Sequence, residues 1–458
     1  MSRSMRKAIV VLAVFAFVAT ACGGTAGDTT TGSTAAGSTT TAAEVTTTTA
    51  ATETTAGEAE ATVRWRTRPD NTEEADVYQE ISDSLDEELE GITLEYEPGA
   101  SQGADYQASL LTELSSGTAP DVFWIPGTDV ANFVDLGVIM DLRALADATG
   151  HSDEDFYPGP MGHLTTDAET GQPGEVLWGL PRDVSAFALY LNNDLIAEAG
   201  ADDPRELAAA GNWNWDTFNE VVSTVAALGT DIEGFASDAW WGPYGYWMNA
   251  AGGGFFNADR TACGLDSPES VAGITFARDL FQSGNTVAWG GPAEDTYRAG
   301  NVAMFMNGRW ATPGARTVDF DWDVVKLPDG PGGPSNWLFW GAYVVSAGTE
   351  HPEEAWALVQ ALTTAETQAQ ISGLGANIPS RVSQEALDAF LTFSPPANNQ
   401  AFLDGLAENP ATEGPLWAGS WPDYATGMDA AVGGVITGDR TIEDFQANIC
   451  SELAGAFD

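Results

Sequence analysis

The sequence predicts an α/β layered protein with a mainly parallel sheet, on three observations. Strand-like and helix-like stretches alternate from residue 62 to about 136, the pattern of strand–helix–strand units. A composition of 43% apolar and 10% aromatic residues over 458 positions suffices for packed cores in two to three domains. The middle of the chain is more helical and carries explicit capping signals, such as Ser267-Pro268 ahead of an apolar-periodic run.

The chain begins with an export signal. Arg3, Arg6 and Lys7 precede an apolar run over 8–18, too short to span a bilayer as a stable helix. The small residues Ala19, Thr20 and Ala21 then lead to Cys22, similar to a lipobox, although Ala19 stands where leucine is usual. Residues 1–22 therefore read as a lipoprotein signal, and diacylation of Cys22 would give stable anchoring to the outer face of the membrane. Residues 23–61 are dominated by Thr, Ala, Gly and Ser and cannot bury apolar surface, so a disordered tether is expected.

The folded part opens with a strand at 62–67. A helix follows, with Asn71 and Glu74 spaced as a capping box and Tyr78, Ile81, Leu85 and Leu89 along one face, ending at Gly91. A strand at 92–96, a helix near 106–115, a strand at 121–125 and a helix near 130–136 continue the alternation. Helices are expected over 195–199, 215–228, 268–282 and 353–362, and one or two more over 428–457.

The charge is −50, from 17 basic and 67 acidic residues, which repels nucleic acid and anionic headgroups. Metal-protease, redox and phosphate-cradling motifs are missing from the sequence. Residues 99–103 fit G-x-S-x-G around Ser101, but the preceding strand alternates as a half-exposed one does, so a turn is the better reading. Asp319, Asp321 and Asp323 have calcium-loop spacing, but Val324 stands where glycine is required, and a strand is expected there. No catalytic group, metal or cofactor is implied. Residues 237–256, with Trp240, Trp241, Tyr244, Tyr246, Trp247, Phe255 and Phe256 around Gly242, Pro243 and Gly245, match neither helical nor strand period at first and read as a loop. Its rings either fill a core or offer flat faces to a ligand that is polar at its edge. Cys263 and Cys450 are the possible disulfide pair in an exported chain; two buried thiols are the alternative.

Several stretches then resemble one family: S-G-T-A-P-D-V-F-W (116–124), G-L-P-R-D-V-S-A-F-A-L-Y-L-N-N-D-L (179–195), W-N-W-D-T-F (213–218), L-D-S-P-E-S-V (265–271), A-G-N-V-A-M-F-M-N-G-R-W-A (299–311), K-L-P-D-G-P-G-G (326–333), H-P-E-E-A-W-A-L-V-Q-A-L (351–362) and I-P-S (378–380). In this order they are similar to the extracellular solute-binding proteins of carbohydrate ABC importers, the group that includes maltose-binding protein. The resemblance implies a two-lobe fold, each lobe a mainly parallel sheet flanked by helices and joined by crossing hinge segments. Lobe one would hold 62–181 and 322–366, and lobe two 184–318 and 369–458, which puts both Cys263 and Cys450 in lobe two. It implies ligand contacts from Trp124, Asp183, Trp240, Trp241, Trp310 and Trp340, from Arg68 and Asp70 after the first strand, and from Tyr424, with Trp421 as its alternative. One of the adjacent pair Trp240 and Trp241 would face the cleft, with Trp247, Phe255 and Phe256 packing inside the lobe. The implied function is a monomeric, lipid-anchored receptor that passes a small-molecule carbohydrate to the permease subunits of an ABC importer. A glycerol-phosphate or other polyol receptor, with Arg182 and Arg309 as the nearby cations, is the second reading, and an extracellular glycoside-acting enzyme the third.

Overall fold

The first strand, Ala61–Thr67, buries Val63, Trp65 and Thr67 on one face. The helix Thr72–Glu88 packs there, and the Trp65 indole N–H donates to Ser82 Oγ at 2.9 Å. Gly91, at φ +80°, ends that turn in the left-handed region. The chain returns as Ile92–Pro98, parallel to the first strand. The computed structural model describes residues 61–69, 72–99, 103–373, 375, 377–407 and 410–457. The expected signal with Cys22, nearly all of the expected tether, and Asp70, Asn71 and Ser101 lie outside the described residues.

The described strands form two main sheets, one per lobe. A seven-stranded sheet runs in the order Ile378–Pro379, Leu180–Ser185, Asn336–Val345, Val122–Pro126, Ala61–Thr67, Ile92–Pro98, with Pro410–Thr412 beside the first half of Asn336–Val345. A four-stranded sheet runs in the order Trp322–Val325, Ala188–Asn192, Val302–Asn307, Glu233–Ser237. The α/β class and the two lobes agree with the sequence, but the strand directions are mixed. Asn336–Val345 runs antiparallel to both of its neighbours Val122–Pro126 and Leu180–Ser185, because it returns from the other lobe and joins the sheet from the opposite end.

The chain crosses between sheets at Ala186 and Phe187, and again between Val325 and Asn336. The strands thus sort differently from the expected boundaries at 322 and 369. Trp322–Val325 pairs with Ala188–Asn192 in the four-stranded sheet, and Ile378–Pro379 pairs with Leu180–Ser185 in the seven-stranded one. The strand expected around Asp323 is therefore present; Asp323 pairs with Arg205 at 3.3 Å, and the described residues hold no cluster suited to a metal. The Ser267 cap is also in place, accepting from the Ser270 N–H at 3.2 Å. Cys263 and Cys450 are bonded, with Cα atoms 5.3 Å apart, and both pack against the core around the four-stranded sheet.

The two crossings are tied to each other. Asn336 Oδ1 accepts from the Phe187 N–H at 3.0 Å, and Asn336 Nδ2 donates to the Phe187 carbonyl at 2.9 Å, all in the buried interior. The amide acts as a one-residue ladder between segments that belong to different sheets. Replacing Asn336 with Ala leaves two buried backbone groups without partners, and each costs about 1–3 kcal/mol. We expect urea unfolding of Asn336→Ala to show a loss of about 2–6 kcal/mol at an unchanged denaturant slope.

Candidate functional site

A cavity of about 250 Å³ lies between the lobes. The four-stranded lobe supplies aromatic faces to it: Trp241 opens the helix Trp241–Ala250, Phe255 and Phe256 follow that helix, and Trp421 opens the helix Trp421–Thr437. Trp337, on the crossing strand, forms the back. Trp241 stands nearly perpendicular to Trp421, at 5.4 Å and 88°, and to Trp337, at 5.2 Å and 82°. The first lobe supplies Thr128 and the segment 411–414.

The polar rim is Thr412, Glu413, Asn249, Asn257 and Arg260. Glu413 is buried; its Oε2 accepts from the Trp340 backbone N–H at 3.1 Å, and its carbonyl accepts from the Trp340 indole N–H at 2.7 Å. Burial pushes the Glu413 carboxyl up to about 8, and the Asp129 charge adds to this, against the Trp340 N–H and Arg68. Asp129 is itself pushed up to about 6 by burial. His163 stacks on Trp340 at 6.1 Å and 6°, and burial plus the Arg260 charge hold it down to about 4, so it is neutral. Arg260, at φ 55°, donates from Nη2 to the carbonyls of Gly414 and Pro415 at 3.1 and 3.3 Å and lies over Phe256 at 4.7 Å. Flat apolar walls with a polar edge suit a compact polar molecule with C–H faces. Glu413 is the one carboxylate among the described lining residues, whereas glycoside hydrolysis uses two.

Residues 80–396, well over half the chain, match the sequence profile of the bacterial extracellular solute-binding protein family. The chain belongs to that family. Among curated relatives, this solute-binding protein is 26% identical over 250 residues to the galactooligosaccharide-binding protein of Bacillus subtilis, covering 52% of this chain and 55% of that one. Among solved structures it is similar to the ABC substrate-binding protein Lmo0181 of Listeria monocytogenes in complex with cycloalternan, at a TM-score of 0.74 and 18% identity over 86% of this chain and 98% of that one. It is also similar to UgpB of Mycobacterium tuberculosis in complex with glycerophosphocholine, at a TM-score of 0.71 and 16% identity over 86% and 97%. These structural likenesses carry the two-lobe fold.

The expected site residues of this solute-binding protein fall into three groups. Trp241 lines the cavity, and Trp340 holds Glu413 there. Trp240 and Trp310 instead pack edge-on against Phe187, at 5.9 and 6.1 Å, and also meet Phe339. On the first lobe, Trp124 is buried between the guanidiniums of Arg68 and Arg182, at 4.6 and 4.8 Å, and Arg182 pairs with Asp183 at 2.7 Å. Arg182 and Arg309 do not line the cavity; Arg309 is buried among Phe390, Phe393 and Phe402, and the lining cation is Arg260.

One reading of the aromatic stretch is corrected and another is extended. It is a helix from Trp241, since Pro243 falls in the first turn, where its missing N–H costs nothing. Gly242 and Gly245 serve packing: a Cβ would lie 2.5 Å from the Trp240 ring at the first and 2.5 Å from the Phe255 ring at the second. Phe255 packs in the core of the lobe with Trp247, as expected, and Phe256 packs against it, but both also line the cavity. Tyr424 is fully buried; its hydroxyl donates to the Phe255 carbonyl at 2.5 Å, and its ring stacks on Phe256 at 5.0 Å, behind the wall that Trp421 faces. Sequence reasoning missed Glu413, Arg260, Trp337 and the rim amides. Tyr424→Phe removes one of two hydrogen bonds to the Phe255 carbonyl, which keeps the Gly264 N–H at 2.8 Å, and should lower unfolding stability by about 0.5–1.5 kcal/mol, with fluorescence-monitored solute affinity changing less than twofold.

Proposed function

We propose that this chain is a receptor for a carbohydrate, which it passes to the permease subunits of an ABC importer. The observation that carries the reading is the inter-lobe cavity, where the rings of Trp241, Trp337 and Trp421 meet a rim of one carboxyl, two amides, a hydroxyl and the Arg260 guanidinium. Its volume of about 250 Å³ lies just below the usual range of roughly 300–1,000 Å³ and suits a single sugar unit. One of the relatives described above is named for a carbohydrate, and another is in complex with cycloalternan. Anchoring through lipid on Cys22 belongs to the same reading, as does closure of the lobes on ligand by contacts made in the closed state.

Titration of intrinsic tryptophan fluorescence against mono- and oligosaccharides should give a saturable change with at least one of them. Trp241→Ala should then weaken that binding about tenfold or more, since a stacked indole buries area worth several kcal/mol gross at about 25 cal/mol per Å². Trp240→Ala should lower the melting temperature instead. Silence across the panel removes the carbohydrate reading. Arg260 on the rim favours a second one, a polyol phosphate, for which glycerol phosphate rather than sugar produces the saturable response.

A further inference from the structure

We propose that Glu413 is held as a neutral carboxylic acid and donates its O–H to an acceptor oxygen of the bound solute, so that it fixes the orientation of the solute. This deepens the carbohydrate reading and rests on it for the ligand.

Glu413 lines the cavity and is 7% exposed. Its Oε2 has one partner, the Trp340 N–H. Its Oε1 has none among the described residues, and the side chain belongs to the lining of the cavity. A buried carboxylate with one neutral donor and an uncovered oxygen against indole rings is poorly compensated. The protonated acid has an O–H to give.

The groups around it set the balance. Asp129 follows Val122–Pro126, and Asp183 lies on Leu180–Ser185; both act on Glu413 as like charges. Arg68, after the first strand, acts in the opposite sense. Arg182 is committed to Asp183 at 2.7 Å, and Arg260 is bonded to the carbonyls of Gly414 and Pro415. His163, on Pro158–Leu164, is neutral. Among the described residues no cation therefore bonds the Glu413 carboxyl, and a charge there would add to that of Asp129. Burial is the main cause that raises its titration to about 8.

The sign follows. The raised folded-state value means the acid form contributes stability fully below the unfolded value of about 4.3, and this is lost as pH rises toward 8. For a solute that needs the O–H, affinity holds to about pH 7 and then falls, by roughly thirty-fold between pH 6.5 and 9.5. The test measures affinity of the wild-type protein for a neutral sugar from the panel across that range, beside Glu413→Gln and Glu413→Ala. Glu413→Gln keeps an N–H donor at similar reach and should flatten the profile, whereas Glu413→Ala should bind at least tenfold more weakly at pH 6.5. Carbon-13 resonances of the glutamate carboxyls, with Glu413 identified by its loss in Glu413→Gln, report its titration without any ligand, and a midpoint near 8 is expected. Wild-type affinity that is flat or rises with pH overturns the proposal, as does a carboxyl midpoint in the ordinary glutamate range. A protein that binds no sugar but shows the midpoint near 8 loses the carbohydrate reading while the neutral acid stands.

Discussion

A single side-chain amide, Asn336, bonds both backbone groups of Phe187 at the place where two crossing segments pass each other. Much of the functional geometry depends on that contact. Asn336 begins a strand of ten residues that is buried throughout. Its next residues, Trp337 and Phe339, join the aromatic packing of the four-stranded lobe, and Trp340 onward belongs to the core of the other. Phe187 touches Trp240, Trp310 and Phe339. Fixing the crossing therefore fixes the back of the cavity and the strand that anchors Glu413 at its rim.

The lobes divide the work at the cavity. The four-stranded lobe contributes most of the flat apolar area, through Trp241, Phe255, Phe256 and Trp421. The other contributes polarity, through Thr128 and the segment carrying Thr412 and Glu413. The four-stranded lobe adds Asn249, Asn257 and Arg260, so hydrogen-bonding groups come from both sides, but only a molecule held between the lobes meets those rings and Glu413 together. That is the differential contact which a closing motion needs if ligand is to shift the population toward the closed state.

Much of the fold was legible in local pattern. The helix Pro268–Gln282 has its Ser267 cap and first-turn proline, and the strand Ile92–Pro98 shows its alternation. The lobe assignment of Trp322–Val325 was not legible, because an apolar strand carries no mark of which sheet it joins. At the site, Trp241 was readable as a ring beside glycines. Glu413 was not: among 67 acidic residues nothing in the sequence separates a buried one from the solvated rest. Trp421 and Tyr424 sit three residues apart and so share a helix face, and only tertiary packing decides which ring reaches the cavity.

The bond between Cys263 and Cys450 spans a sequence separation of 187 residues, and the enclosed chain leaves its own lobe, builds Asn336–Val345 and Pro352–Leu362 in the other, and returns. Oxidation can thus be completed only after Cys450 has been exported, once all the crossings, including the return after Pro410–Thr412, have left the membrane. A single backbone cut anywhere between the two cysteines, including in the lobe that contains neither, leaves both pieces covalently joined. For a receptor of an extracellular family, that is tolerance of proteolytic nicking conferred on one lobe by a bridge in the other.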